Sequence, residues 1–329
     1  MLRTTVIGVG HLGRQHARIH AAIAAEGTSQ FVSVCDIDDQ RSREVGAEWQ
    51  VQSTTDWRSL IGQVDAVSLA VPTESHCSIA SALLEAGVHV LVEKPISRTL
   101  EEADQMIAAA RRGGANLQVG HAERFNPALM ALRPLVKHPV YFEIHRVGQF
   151  TMRSLDIDVV LDLMIHDLDI VQWLVGADVA VTNVHAVGIP ILTNRVDAAN
   201  ARIEFATGAV ANITASRVGT EKIRKMRFFQ PHDYIAVDYT TKRASVSSLA
   251  PPTASGSWPG VHIQHLDVID VEPLHAEIVS FLDAVENGGP PAVSGSDGRN
   301  ALSLALRTLE RIREHAEHPG VSELSPNVG

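Results

Sequence analysis

The sequence is poor in cysteine, in net positive charge and in long apolar runs, and each shortage argues against a class of protein. Its two cysteines, Cys35 and Cys77, are too few for a disulfide framework, and both lie among apolar neighbours, as buried thiols do. No apolar run reaches the length that crosses a bilayer. A net charge of -10 repels phosphate backbones, so nucleic acid is not expected as the main partner.

The first residues also leave little room for a targeting signal. Only Leu2, Arg3 and two threonines separate Met1 from the apolar run that begins at Val6, so we do not expect a charged leader followed by a hydrophobic segment. We therefore expect a cytoplasmic protein with no membrane partner. The 329 residues are about twice the usual length of one domain, so two domains are expected.

The first part of the chain, residues 1–121, alternates β-branched runs with helix-like stretches. The runs TTVIGVG, FVSVCDI, AVSLAVP, VHVLVEKP and NLQVGH predict the strands of a parallel sheet. This alternation is typical of the doubly wound α/β fold. We predict a Rossmann domain over residues 1–121.

The remainder, residues 122–329, changes in texture. The segments VYFEIHRVG, TNVHAVGI, NARIEFA, AVANITASRVG, IRKMRFF and YIAVDY predict an open, mainly antiparallel sheet in an α+β domain. Helices are predicted from about Ile157 to Val175, after Glu272-Pro273 with proline at the first position, and from near Asp297. The last helix is placed either with this domain or back on the first.

The segment GVGHLG follows the first predicted strand and opens a helix. Gly8 permits the tight turn, Gly10 lets the backbone approach a pyrophosphate, and Gly13 allows close packing of helix and strand. Asp36 ends the second strand, where a carboxylate binds the 2′-hydroxyl of NAD and repels a 2′-phosphate. Arg41 lies close enough to weaken that preference slightly. The alternative is a tight turn with a coincidental acid.

His16 and His20 are four residues apart on the same predicted helix. This spacing permits two metal ligands on one face, but nothing nearby completes a site. We interpret both as surface or packing residues, and we predict no metal.

The segment VEKPISRTLEEADQMI after AVPTESH, the pair Asp162 and His166, and the late segment PLHAEIVSFLDAVENGGPPAVSGSDG resemble the glucose-fructose oxidoreductase and inositol dehydrogenase family, Gfo/Idh/MocA. The resemblance implies hydride exchange between nicotinamide and a sugar or cyclitol, with Lys94, Asp162 and His166 at the reacting carbon. It also implies a cofactor site, which we expect to comprise Gly8, Gly10, His11, Leu12, Gly13, Asp36, Pro72, Thr73, His76, Glu93 and Lys94.

The chemistry of these residues agrees with that implication. Lys94 ends a buried-type strand at the sheet edge where ligands collect, although a surface lysine is the plainer alternative. Asp162 and His166 share one face of an otherwise apolar helix, so that polar stripe faces a cavity or a partner, unless it is a solvated acidic face. We assign His166 as acid/base, Asp162 as its orienting partner, and Lys94 as sharing the proton or polarising the oxygen.

A cluster of cations bears on the substrate. Arg224 lies on one face of the strand IRKMRFF and Lys225 with Arg227 on the other, so only one face can meet the site. Cations there hold a diphosphate or, alternatively, protect a sheet edge. The segments VGHAERFNPA and ASRVGTEKIRKMRFFQ resemble the family members that oxidise UDP-N-acetylglucosamine at the 3-hydroxyl, which favours a nucleotide sugar. The expected substrate-binding residues are Lys94, Arg124, Asn126, His166, Arg217 and Arg224.

Two other functions stay open at this point. A dehydrogenase of a free sugar or inositol uses the same machinery, and a non-catalytic NAD-binding regulator keeps the fold but loses catalysis. The presence of Lys94, Asp162 and His166 argues against the regulator. A homodimer or homotetramer is expected, by analogy with the family.

Overall fold

The computed structural model describes residues 1–150, 157–249 and 260–318. The chain divides into two compact units. Unit 1 comprises Met1–Phe125 and Val271–Leu302, and unit 2 comprises Asn126–Asp270 and Ser303–Gly329, as far as their residues are described. The boundary that we predicted after residue 121 stays a prediction.

The described residues form eight α-helices. They are α1 His11–Ala25, α2 Asp39–Trp49, α3 His76–Glu85, α4 Leu100–Gly113, α5 Pro127–Leu132, α6 Ile165–Val175, α7 Pro273–Glu286 and α8 Gly295–Ala316. No helix in the described part is long and apolar enough to cross a membrane. Pro273 occupies the first turn of α7, as predicted, because its missing N–H needs no partner there.

Unit 1 contains a six-stranded parallel sheet. Its strands are β1 Leu2–Ile7, β2 Ser29–Cys35, β3 Gln52–Thr54, β4 Ala66–Leu69, β5 His89–Glu93 and β6 Leu117–Gly120. Their order is β3-β2-β1-β4-β5-β6, with all neighbours parallel, which confirms the predicted doubly wound fold. Strand β3 was not predicted, because its three residues are too few to show a period.

The sheet of unit 1 is covered on one side by α1 and by α7 from the late part of the chain. Ile19 and Ile23 of α1 pack with Leu91 of β5 and with Ile278 and Phe281 of α7. Burying each such side chain stabilises the fold by about 1.5–3 kcal/mol. The apolar face of α7 therefore explains why residues after 270 return to unit 1.

Unit 2 contains an eight-stranded sheet. Its strands are β7 Tyr141–Gln149, β8 Val181–Ile189, β9 Ala198–Phe205, β10 Val210–Gly219, β11 Ile223–Gln230, β12 Asp233–Asp238, β13 Arg243–Leu249 and β14 Val261–His265. The order is β14-β13-β12-β11-β7-β10-β9-β8, and every pair is antiparallel except β7 with β10. The predicted mainly antiparallel sheet is confirmed. A parallel pair needs a long crossover, and α6 lies within it.

The helix predicted from about Ile157 to Val175 has two parts. A π-helical turn spans Val160–Met164 and continues directly into α6. Such turns are rare and are frequently found at functional sites. Asp162 lies in the π turn and His166 in the first turn of α6, so the local widening falls on the predicted polar stripe.

A buried ion pair attaches α6 to β7. Nε and Nη2 of Arg146 donate to the two carboxylate oxygens of Asp167 at 2.7 and 2.8 Å, and both side chains are almost fully buried. The guanidinium also lies 5.3 Å from the ring centroid of Tyr239. Asp167 is the neighbour of His166, so this pair fixes the helix position that presents His166.

We predict that Asp167→Ala lowers the free energy of unfolding by about 3–5 kcal/mol, because it leaves the Arg146 charge buried without its carboxylate. Urea unfolding of the variant and the unmodified protein measures the difference. Asp39→Ala is the matched control, since Asp39 pairs with Arg43 on the surface and its loss is expected to cost little. Equal effects of the two variants would show that the buried pair does not hold α6.

Candidate active site

The loop after β1 is shaped by two glycines. Gly8 has φ +84, and a Cβ there would lie 2.6 Å from the carbonyl oxygen of Ala70. A Cβ at Gly13 would lie 1.8 Å from the carbonyl oxygen of Gly8. A side chain at Gly8 would collide with the backbone that follows β4, and one at Gly13 would force α1 away from the loop after β1, so both glycines are required by close packing.

Gly10 has a different reason to be glycine. It is the N-cap of α1, and a Cβ built on it would meet nothing within 4 Å. The first turn of α1 carries no acidic residue, and no side chain caps it. The free space and the helix N-terminus together fit the pyrophosphate of a dinucleotide, which accepts hydrogen bonds from the exposed N–H groups.

The carboxylate of Asp36 is held at the end of β2. One oxygen accepts the N–H of Val9 at 2.8 Å and the other accepts the N–H of Asp38 at 2.9 Å. The guanidinium of Arg41 lies 3.2 Å from Asp36 and 3.2 Å from Asp38. This arrangement fits a ribose diol, and it also places a cation beside the position of the 2′-oxygen.

A cavity of about 850 Å³ runs along the carboxyl edge of β2, β1, β4 and β5. Three spacings between neighbouring strands amount to about 14 Å along this edge. Of the expected cofactor residues, the cavity is lined by Gly8, Gly10, Leu12, Asp36, Pro72, Glu93 and Lys94. His11, Gly13, Thr73 and His76 are outside the lining of this fully described region.

Glu93 and Lys94 lie together at the end of β5. The Glu93 carboxylate accepts the N–H of Lys94 at 3.2 Å and a hydrogen bond from Nε2 of His16 at 2.9 Å. Burial alone raises the pKa of this carboxyl, but the hydrogen bond and charge of His16, with the charge of Lys94, bring the net pKa below its ordinary value. Lys94 is half-buried and precedes a cis peptide bond to Pro95.

His76 connects the two loops that follow β4 and β5 at the carboxyl edge of the sheet. Its Nδ1 lies 3.1 Å from the carbonyl oxygen of Pro95, and its Nε2 lies 2.9 Å from that of Val71. Burial lowers the pKa of this imidazole. The structure therefore makes His76 a brace for the loops that follow β4 and β5, while Thr73 begins the short 3-10 turn before α3.

His16 and His20 of α1 are fully buried. Nε2 of His20 lies 2.9 Å from the hydroxyl of Ser68, and its ring stacks on Phe31 at 5.7 Å. Burial, with the neighbouring His16, lowers the pKa of His20 to about 3. Among the described residues, no group of three or more metal-ligating side chains is close enough to hold an ion.

In unit 2, the acidic residues of the predicted stripe differ in their contacts. Asp162 and His166 are half-buried, whereas Asp169 is buried. Asp158 accepts the N–H of Val196 at 3.0 Å, which ties the start of the π turn to the segment before β9. The stripe therefore contains the half-buried Asp162 and His166 together with Asp158, which attaches the helix to its neighbouring segment.

The expected substrate-binding residues are also found in several settings. Arg124 is buried and pairs with Asp297 at 3.3 Å, and Asn126 caps α5 and donates to the carbonyl oxygen of Tyr239. Arg217 is buried, donates to the carbonyl oxygen of Ile157, and lies 3.7 Å from Asp197.

Arg224 is half-buried on the face of β11 that carries the buried Met226. Lys225 and Arg227 are exposed on the opposite face, where they pair with Asp238 and Glu143. The cross-strand neighbour of Arg224 is Arg146, which Asp167 already matches in charge. Arg224 therefore places a further cation on the covered face of the sheet.

Several residues that organise these groups were missed from the sequence, chiefly His16, Arg146, Asp167 and Asp197. Each acts through a partner distant along the chain, such as Glu93, which lies 77 residues from His16. The signal available for His16 was a polar residue on the apolar face of a helix, and a packing role explained it equally well.

Comparisons with known proteins agree with this geometry. Residues 2–121 match the profile of an oxidoreductase family with an NAD-binding Rossmann fold, and residues 138–229 match the GFO/IDH/MocA C-terminal domain. The UDP-N-acetylglucosamine 3-dehydrogenase of Acidithiobacillus ferrooxidans is 40% identical over 307 residues, 93% of this chain and 96% of that protein.

Two further similarities extend over nearly the whole chain. A solved structure of the Acidithiobacillus ferrooxidans UDP-N-acetylglucosamine 3-dehydrogenase has a TM-score of 0.89 at 39% identity, covering 96% of this chain and 99% of that one. The inositol 2-dehydrogenase of Rhizobium meliloti is 26% identical over 342 residues, 95% of this chain and 97% of that protein.

We predict a preference for NAD over NADP that depends on Asp36. Asp36→Ser removes the carboxylate that repels a 2′-phosphate and leaves Arg41 to attract it, so kcat/KM with NADP is expected to rise by about 10-fold or more. The double variant Asp36→Ser, Arg41→Ala should lose that gain. Steady-state kinetics with both cofactors decides the matter, and an unchanged preference in Asp36→Ser would contradict this role.

Proposed function

The chain belongs to the GFO/IDH/MocA oxidoreductase family, and we propose that it oxidises the 3-hydroxyl of UDP-N-acetylglucosamine with NAD as the hydride acceptor. The observation that carries the proposal is the 40% identity, over 93% of the chain, to a UDP-N-acetylglucosamine 3-dehydrogenase. The cavity that ends at Lys94 supports it, since that cavity fits NAD.

Oxidation of a secondary alcohol removes a hydride from the carbon and a proton from the hydroxyl oxygen bound to it. Bound NAD supplies the acceptor for the hydride. The hydroxyl proton goes to a protein base, and the C–O bond becomes a carbonyl. We assign His166 as the acid/base, Asp162 as the residue that orients it, and Lys94 as the group that polarises the oxygen or shares the proton.

Substrate anchoring is proposed to rest on cations and amides. Arg224 supports this best, because it is half-buried beside an already neutralised arginine. We retain Arg124 and Asn126 as groups that hold sugar or phosphate oxygens. For Arg217 we propose a supporting role, because its described contacts with Ile157 and Asp197 hold the segment before the π turn.

We predict that kcat/KM for UDP-N-acetylglucosamine exceeds that for N-acetylglucosamine or myo-inositol by about 100-fold or more, because the nucleotide contributes binding energy remote from the reacting carbon. Arg224→Ala should reduce the value for the nucleotide sugar by about 10-fold or more. Arg227→Ala is the control, since Arg227 is exposed and pairs with Glu143 on the other face.

Steady-state kinetics with the three substrates tests this. A preference for myo-inositol would support the runner-up, which the similarity to inositol 2-dehydrogenase favours. Tight NAD binding without oxidation of any of them would favour a regulator. The predicted cytoplasmic location and homodimer or homotetramer stay predictions.

We also predict that Lys94→Met and His166→Ala each lower kcat by about 100-fold or more while NAD binding is largely kept, as for proton-transfer groups. Turnover and NAD titration, measured on each variant, separate the two effects. Near-normal turnover in both variants would remove the assigned roles. Loss of folding in His166→Ala would instead assign His166 to packing.

A further inference from the structure

His16 and Glu93 form a buried contact between the cofactor-binding helix and the end of β5. Nε2 of His16 lies 2.9 Å from a Glu93 oxygen, and the exposed fractions of the two side chains are 0% and 10%. Nδ1 of His16 has no hydrogen-bond partner among the described residues. Because a carboxylate only accepts hydrogen bonds, Nε2 of His16 is the donor of this contact.

The surroundings of Glu93 are built for a carboxylate. Gly120 of the neighbouring strand leaves it space, because a Cβ there would lie 3.1 Å from both Cδ and Oε1 of Glu93. One oxygen accepts from His16 and the other from the N–H of Lys94. A buried carboxylate that keeps two donors stays ionised and fixed in place.

The position of this carboxylate relates it to the reaction. Glu93 and Lys94 line the cavity at the end of β5, three strands from Asp36 along the sheet edge. If Asp36 holds the adenosine ribose, the nicotinamide end of NAD extends toward Glu93. An anion there stabilises the positively charged ring of NAD⁺ relative to the neutral ring of NADH.

We propose that His16 is a positioning residue: its hydrogen bond keeps the Glu93 carboxylate ionised and oriented, so that Glu93 holds the backbone of Lys94 and favours the oxidised cofactor. This inference rests on the proposed function only for its kinetic part. A packing role alone would explain why His16 is buried. The proposal adds that His16 strengthens the binding of NAD⁺ relative to NADH.

The direction of the pH dependence follows from the groups that face Glu93. They include His16 from α1, Lys94 directly after β5 and, through its electrostatic influence, His76 from α3, and Gly120 of β6 packs against the carboxyl. Without the His16 donor, burial dominates and raises the pKa of Glu93. As the pH falls, Glu93 of such a variant takes up a proton at a pH where Glu93 of the unmodified protein is still ionised.

His20 provides a matched control. It lies one turn further along α1, is equally buried, and makes one hydrogen bond, to Ser68 rather than to a cavity residue. His16→Leu and His20→Leu thus remove the same side chain from the same helix face. Only His16→Leu removes a donor from Glu93.

The experiment measures the dissociation constants of NAD⁺ and NADH by calorimetry between pH 6 and pH 8.5. In His16→Leu, NAD⁺ binding is expected to weaken by about 5-fold or more toward pH 6, and NADH binding by less than about 2-fold. His16→Gln, whose amide nitrogen can replace Nε2, should behave as the unmodified protein does, and so should His20→Leu. In kinetics, His16→Leu should lower kcat by about 10-fold, because the Glu93 carboxylate no longer holds the backbone of Lys94, and it should move the acid limb of the pH profile upward.

Equal behaviour of His16→Leu and His20→Leu, or of His16→Leu and His16→Gln, would overturn the proposal and leave a packing role. If His16→Leu fails to fold, Glu93→Gln, which mimics the protonated carboxyl, must show the weakened NAD⁺ binding at every pH, and its absence would equally overturn the proposal. The cofactor titrations need no sugar, so failure to oxidise UDP-N-acetylglucosamine would reject the proposed function without affecting this test.

Discussion

Within each unit, the candidate functional segments are held in place because buried carboxylates need hydrogen-bond donors. Asp36 is held by two backbone N–H groups, Glu93 by His16 and a backbone N–H, and Asp167 by Arg146. An ionised carboxyl without such partners would be too costly to bury. Each carboxylate therefore fixes the segment that supplies its donors: the glycine loop, the Lys94 turn and helix α6. Two of the residues assigned to chemistry, Lys94 and His166, are neighbours in sequence of these fixed acids, so a buried charge sets the position of each.

Elements with a regular apolar pattern were predictable from the sequence. Strands that form only through pairing with a neighbouring strand were not. Five of the six parallel strands were found from β-branched runs, because strands buried on both faces are continuously apolar. The strands β13 and β14 were missed, since RASVSSL is rich in serine and β14 is exposed along its length. The π turn at Val160–Met164 was missed too, because an apolar helix with one extra residue in a turn has almost the same period as one without.

The cofactor half of the candidate site was more predictable than its supporting contacts. The glycine loop and Asp36 are a local motif, in which each residue type follows from a steric or charge requirement within one βαβ unit. His16 and Asp167 gave no comparable signal. Their functions depend on partners 77 and 21 residues away, and a histidine or aspartate on an apolar helix face fits many packing arrangements. The sequence predicted that Arg224 lies on one face of β11 and that Lys225 and Arg227 lie on the other. It did not predict which face is covered, because alternation determines only which residues share a face.

An acidic protein that binds an anionic dinucleotide must separate its overall charge from the charge of its cavity. The net charge is -10, yet the cavity is lined by three acids, Asp36, Asp56 and Glu93, and three bases, Arg41, Arg58 and Lys94. The lining is therefore formally neutral, and α1 adds the positive end of its dipole with no acid in its first turn. Asp36 and Glu93 occupy the two ends of the strand series, at β2 and β5, and the pyrophosphate position at Gly10 lies between them. Binding of the cofactor thus depends on the order of charges along one sheet edge, and the surface charge is left free to keep other polyanions away.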